Sequence, residues 1–285
     1  MRWYLRYGLS YRDVEELLSE RGIDVDHVTV YRWVQTFTPE FIDAARPARH
    51  MTGDRWFVDE TYVKVAGRWT YLYRAVDQHS QVIDVLVRER RDGAAARDFF
   101  ARVLKSGPSP VEITTDRAPV YPRVIEESVP TSRHVLEQYA NNRVEADHGR
   151  LKARLRPMRG LKTIRSVRTI SAGHAFVQNL CRGHYEITAE LPAIDRVLVA
   201  FTELAHCLCN LATPPSSMTC RPPIDQRNSA APVTQVGAAR MAGLFRQTQM
   251  MLRRSRNVVT PLSSSPDSVA RSRHDARAVA QRTKS

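Results

Sequence analysis

Three acidic residues stand where an acid is costly unless it has a task. Asp59 lies inside an apolar, β-branched run, Trp-Phe-Val-Asp-Glu-Thr. Asp116 closes the short run Ile-Thr-Thr-Asp, and Glu145 sits in Asn-Asn-Arg-Val-Glu-Ala-Asp-His. A carboxylate in a buried strand is expensive unless it is paired or holds a metal. Any one of these acids alone reads as a solvated or capping residue; three on separate elements point to a shared site. Their hard oxygens suit Mg²⁺, which takes few protein carboxylates and keeps room for water and phosphate, and Mn²⁺ should substitute. Two such ions about 3.5–4 Å apart serve both oxygens of an in-line displacement at phosphorus, so the chemistry expected is metal-dependent phosphodiester cleavage or transfer. Lys152 follows Glu145 by two helical turns on the same face and can hold a phosphate beside the ions. Arg143, Arg150, Arg154 and Arg156 add charge there; a solvated basic face is the competing reading. Asp77 and Asp147 compete as acids but fit the sheet geometry less well.

The elements that must position these side chains follow from periodicity. Residues 55–65, 69–76 and 81–87 alternate aromatic and β-branched residues, and Gly67 marks the first turn. They predict a three-strand meander. Residues 92–105 predict a helix capped by Asp92, with Phe99, Phe100, Val103 and Leu104 as its apolar face. A short strand over 111–115 ends at Asp116. A short helix over 119–127, a fifth strand over 133–138 and a polar helix over 142–155 complete the order βββαβαβα. This is the succession of an RNase H-like α/β fold, a mixed sheet flanked by helices. It puts Asp59 and Asp116 on neighbouring strands and Glu145 on the helix after the fifth.

An all-α segment precedes the sheet. Ser10 and Asp13 approximate a capping box, Val14, Leu17 and Leu18 form an apolar stripe, and Gly22 reads as a helix stop. Asp26 caps a second helix with Val30, Trp33, Val34 and Phe37 inward and Thr29, Arg32 and Gln35 outward. The pair is a candidate helix-turn-helix whose second helix enters a major groove; an ordinary helical hairpin is the competing reading. The organisation expected is a helix-turn-helix domain at 1–37, a linker at 38–54 containing Pro39, Pro47 and Gly53, a catalytic domain with trailing helices at 55–212, and a basic, disordered tail at 213–285.

Charge supports this only in part. There are 43 Lys+Arg against 30 Asp+Glu, a net +13, which favours a polyanionic partner. Most of the excess lies in residues 221–285, with 12 Lys+Arg and 3 Asp+Glu. Cys181, Cys207, Cys209 and Cys220 show neither zinc-type nor disulfide-framework spacing. No apolar run approaches a membrane span, so a soluble, cytoplasmic protein is expected.

Several segments resemble the transposases of insertion-sequence family six: Asp-Glu-Thr-Tyr-Val-Lys-Val at 59–65, Gly-Arg-Trp-Thr-Tyr-Leu-Tyr-Arg-Ala-Val-Asp at 67–77, Thr-Asp-Arg-Ala-Pro at 115–119, and Asn-Asn-Arg-Val-Glu-Ala-Asp-His-Gly-Arg-Leu-Lys at 141–152. Residues 23–35 resemble that family's helix-turn-helix. The resemblance implies a DDE core in which Asp59, Asp116 and Glu145 bind the metals and Lys152 is the basic residue after the glutamate. It implies strand cleavage and transfer at terminal inverted repeats, usually through cointegrates, with DNA as partner, a homo-oligomer on that DNA and a nucleoid-associated location. Thr29, Arg32, Gln35, Arg143, Arg150, Lys152 and Arg154 are the expected DNA contacts. The chain departs from the family in beginning within its first helix, in a shorter stretch between Asp116 and Glu145, and in the tail. Two other classes compete: a remnant that only binds DNA through its helix-turn-helix, and an RNase H-like nuclease without strand transfer. The acids argue against the first and the N-terminal helices against the second.

Overall fold

The computed structural model describes residues 1–137, 141–156, 158 and 160–211; the expected tail at 213–285 lies outside the described residues. Three helices open the chain: α1 (Arg2–Arg6), α2 (Tyr11–Ser19) and α3 (His27–Ala45). Ser10 and Asp13 form a complete capping box, each side chain taking the other's backbone N–H. Asp26 caps α3 through Thr29 N–H. The two helices are tied by His27 Nδ1, 3.0 Å from Glu15, and α1 joins them through Tyr4 stacked on Tyr11, which meets Tyr31 edge-on.

Helix α3 does not stop at residue 37. It runs through Pro39 to Ala45, into the stretch expected as a linker. The physical reason is its apolar stripe: Phe37, Phe41 and Ala45 continue the spacing of Val30 and Val34 and are all buried, with Phe41 stacked on Phe201 at 5.1 Å. Burying two Phe side chains contributes on the order of 3–6 kcal/mol, against about 3 kcal/mol for an interior proline.

The sheet is as expected in order and direction. Strands β1 (Arg55–Val65), β2 (Arg68–Asp77) and β3 (Val82–Arg88) form an antiparallel meander. Between β1 and β2 the turn is Ala66-Gly67, with φ of 47° and 82°. Positive φ at both central residues is the hairpin turn whose twist matches its strands, and glycine supplies it without strain. Helix α4 (Gly93–Val103), capped by Asp92, leads to β4 (Glu112–Thr115), then α5 (Tyr121–Ser128) and β5 (Arg133–Val135). Strand order is β3-β2-β1-β4-β5, with β4 and β5 parallel to β1. This mixed five-stranded sheet flanked by helices is the RNase H-like fold.

Helices α4 and α5 cover one face. Trp56, Val58, Tyr73, Ala75, Phe99, Phe100, Ile113, Tyr121 and Val124 form the core there. Helices α6 (Asn142–Leu155) and α7 (Ile164–Arg182) cover the other, and α8 (Ala193–Leu211) packs on α7 and α3. That second face buries charge: Arg74 of β2 is ion-paired with Asp147 of α6, and Arg182 of α7 lies 2.6 Å from the same carboxylate. Asp77 is also structural, accepting the backbone N–H of Gly53, His79 and Gln81.

Candidate active site

The β1–β4 ladder ends at Val58↔Thr115. The next residue on each strand is an acid, so parallel register alone makes Asp59 and Asp116 neighbours. Strand alternation turns Asp59 toward α6 and Glu60 toward α5. At the end of the ladder the two faces are no longer separated by a neighbouring strand, and carboxylate oxygens of Asp59, Glu60 and Asp116 lie within 4.8 Å of one another. Three hard oxygen donors at this spacing fit a divalent cation of the Mg²⁺ or Mn²⁺ type.

Glu60 was not anticipated as part of this group. Its side chain is 4% exposed and accepts hydrogen bonds from the Tyr121 hydroxyl and from Arg91, which also reaches Asp116 Oδ2 at 3.3 Å. Burial pushes the Glu60 carboxyl above its ordinary value despite the Tyr121 hydrogen bond and the Arg91 charge. Partial burial opposes the charge of Arg91, but Glu60 and Asp116 outweigh it and raise the guanidinium pKa. Asp116 Oδ1 accepts Ala118 N–H at 3.1 Å, and this fixes its carboxylate at the strand end. The signal available in the sequence was the second acid of Asp-Glu inside an apolar strand; nothing marked Arg91 within its arginine-rich loop.

Glu145 does not join the group. It lies exposed in the first turn of α6. The helix itself is docked on the site from both sides of that residue: Asn141 Nδ2 donates to Val58 O at 3.2 Å, and buried His148 has Nδ1 3.4 Å from Asp59 Oδ2. Lys152 is exposed, its Nζ 5.0 Å from the Tyr62 ring centroid. Arg143 is exposed, stacks over Phe57 and donates to Gln78 O. Arg150 is also exposed, 3.8 Å from Asp147.

Two expected DNA contacts are corrected. Arg154 is 5% exposed, lies over the Tyr4 ring and donates to Tyr4 O; it joins α6 to α1 and presents no cation to solvent. Gln35 is 6% exposed and accepts from Thr169 of α7 at 3.1 Å. Both sides of α3 are covered at that turn, so a polar residue there faces a helix. Arg32 is exposed and Thr29 half-buried.

A sheet of this order, with acids meeting where the β1–β4 ladder ends, defines an RNase H-like core of the kind that carries phosphodiester chemistry. A family model described as a DDE domain matches residues 53–184. The chain is 36% identical over 169 residues to the transposase for insertion sequence-like element IS431mec of Staphylococcus aureus, spanning 58% of this chain and 75% of that one. The same figures hold for the transposase for insertion sequence element IS257 in transposon Tn4003 of Staphylococcus aureus. Among solved structures it is similar to the HTLV-2 integrase catalytic core domain in complex with magnesium, with 16% identity, 52% of this chain and 99% of that one covered, and a TM-score of 0.38; the fold assignment rests on strand order. The chain belongs to the DDE transposases of insertion sequences. It is a transposase, and DNA is its substrate.

Proposed function

We propose that this chain belongs to insertion-sequence family six and holds two divalent ions, Mg²⁺ by preference, with Asp59, Asp116 and Glu145. The observation that carries this reading is the meeting of Asp59 and Asp116 where the β1–β4 ladder ends, beneath a helix whose first turn carries Glu145. The ions, when bound, supply the positive charge that activates the attacking oxygen and stabilises the leaving one. Asp59 and Asp116 hold them from the sheet, and Glu145 brings the third carboxylate from α6. His148 orients Asp59. Lys152, Arg143 and Arg150 lie along the exposed side of the same helix and take up backbone phosphates.

In the first step a water oxygen bonds to phosphorus at an element end, the bond to the 3′-oxygen breaks, and that oxygen takes a proton. In the second the new 3′-hydroxyl attacks a target phosphate, loses its proton, and displaces the target 3′-oxygen. The number of phosphodiester bonds is conserved in that step. Thr29 and Arg32 at the start of α3 read the terminal inverted repeat in a major groove. Pairing two ends calls for a homo-oligomer on DNA. Among the described residues no helix is long and apolar enough to cross a membrane, which accords with action at the nucleoid in the cytoplasm. The neighbouring acids have no use in a remnant that only binds DNA.

Strand transfer with labelled oligonucleotide ends tests the reading: joined product in Mg²⁺ supports it, and joining that persists in chelator overturns it.

A further inference from the structure

The β1–β2 hairpin projects beyond the catalytic carboxylates and carries two large aromatic rings that the core does not use. Tyr62 and Trp69 are each 56% exposed and meet edge-on, centroids 5.0 Å apart. Aromatic side chains of this size normally bury most of their area, so a pair left in solvent on a well-formed hairpin asks for an occupant.

Their surroundings identify its charge. Lys152 Nζ lies 5.0 Å from the Tyr62 centroid and Lys64 Nζ 5.8 Å from that of Trp69. Arg68 is exposed beside them, and between Glu60 and Asp77 the sequence contains no acid. An exposed aromatic pair flanked by cations, on a hairpin with no acid of its own between Glu60 and Asp77, matches a nucleotide: π-faces for the base, ammonium groups for the phosphates.

Position ties this surface to the reaction. Tyr62 is two residues beyond Glu60 and on the same face of β1, about 7 Å along the strand. Lys64 and Trp69 are direct cross-strand partners on that face. Beyond Val58 the β1–β4 ladder has ended, and Lys152 of α6 comes within 5.0 Å of the Tyr62 ring centroid along the stretch of β1 that precedes the Val65↔Leu161 bridge.

We propose that Tyr62 and Trp69 form a stacking platform for an unpaired base of the DNA strand next to the scissile phosphate, with Lys64 and Lys152 on its flanking phosphates. This rests on the reading that a DNA end occupies the carboxylate site. A base next to the scissile phosphate that leaves its stack gains a new stacking partner on the rings.

The test is binding of element-end duplexes, blunt or with a short single-stranded tail, in chelator so that no cleavage intervenes. The tail carries 2-aminopurine as an unpaired base. Wild type should bind the tailed duplex more tightly and quench the probe. Trp69→Ala should lose roughly 5- to 100-fold on the tailed duplex, with little change on the blunt one, and Trp69→Phe should recover most of the loss. Tyr62→Ala should behave like Trp69→Ala. Equal affinity of wild type for the two duplexes, or equal losses on both in the variants, would overturn the platform while leaving DNA at the site. Binding of neither duplex by wild type would overturn the platform together with the DNA reading. Melting temperatures equal to wild type are expected for all three variants, because both rings are exposed; a collapse in Trp69→Ala would assign the ring a structural role.

Discussion

The Arg91 guanidinium joins Glu60 to Asp116, sitting 3.3 Å from Asp116 Oδ2 while it pairs with the buried Glu60. Its positive charge relieves the repulsion among three crowded acids, and on the proposed reading it competes with the divalent cation that those acids would hold. Arg91→Ala should therefore tighten Mn²⁺ binding by about fivefold, the equivalent of ~1 kcal/mol for a partly exposed pair. It should also lower the melting temperature of the metal-free protein, with recovery on adding Mn²⁺. Titration of Mn²⁺ followed by its free-ion spectrum checks this; weaker Mn²⁺ binding by the variant would mean that Arg91 organises the site.

Asp147 is the hub of the buried charge beneath the sheet. Burial pushes its carboxyl up, but Arg74 and Arg182 overcome this and hold it below the ordinary carboxylate range. Asp147→Ala leaves Arg74, itself wholly buried, without its partner, and should cost about 3–5 kcal/mol, read by denaturant unfolding. Because the folded pKa is depressed, the stabilisation is present above the unfolded value near pH 4 and is lost as pH falls through the folded value.

His174 lies 3% exposed in α7, and burial, aided by the charge of Arg74, lowers its pKa from 6.5 to about 3. Between these two values the unfolded chain binds a proton that the folded chain does not. Stability should therefore fall as pH drops from about 6.5 toward 3, by at most about 1.4 kcal/mol per pH unit from this group. His174→Gln should flatten the dependence of melting temperature on pH in that window. An unchanged slope would show that the histidine carries its charge when folded.

Much of this architecture was legible because it is written in short periods. Alternation located β1, β2 and β3; Asp26, Asp92 and the Ser10–Asp13 pair marked helix starts; the acid after Thr115 followed from β4 ending there. What was not legible depends on neighbours distant in sequence. Gln35 faces α7 and Arg154 faces α1, and no local pattern says that a second helix covers those turns. Pro39 reads as a breaker until Phe41 is seen on Phe201. Glu60 reads as the wrong face of a strand until the end of the ladder brings both faces together, and the sequence that places Glu145 on α6 does not state its rotation.

The contrast between Arg32 and Gln35 tests the N-terminal helices. Arg32→Ala should reduce the preference for element ends over random duplex by about 1–3 kcal/mol with little effect on melting. Gln35→Ala leaves Thr169 unpaired and should lower stability by about 1–3 kcal/mol while the preference persists. Competition binding beside thermal melting separates the two; an intact preference in Arg32→Ala would remove α3 from the groove.

Strand transfer by Asp59→Asn, Asp116→Asn and Glu145→Gln, each measured in Mg²⁺ with binding to element-end duplex recorded on the same samples, tests the central claim most directly. On the proposed reading each substitution removes a metal ligand while phosphate and base contacts lie elsewhere, so product should fall at least about 100-fold, as when one group essential to the transition state is lost, with DNA affinity within about twofold of wild type, the spread of neutral surface changes. Wild-type levels of joined product from any one of the three would contradict that residue's place at the metals, and from Asp59→Asn or Asp116→Asn would contradict the account as a whole.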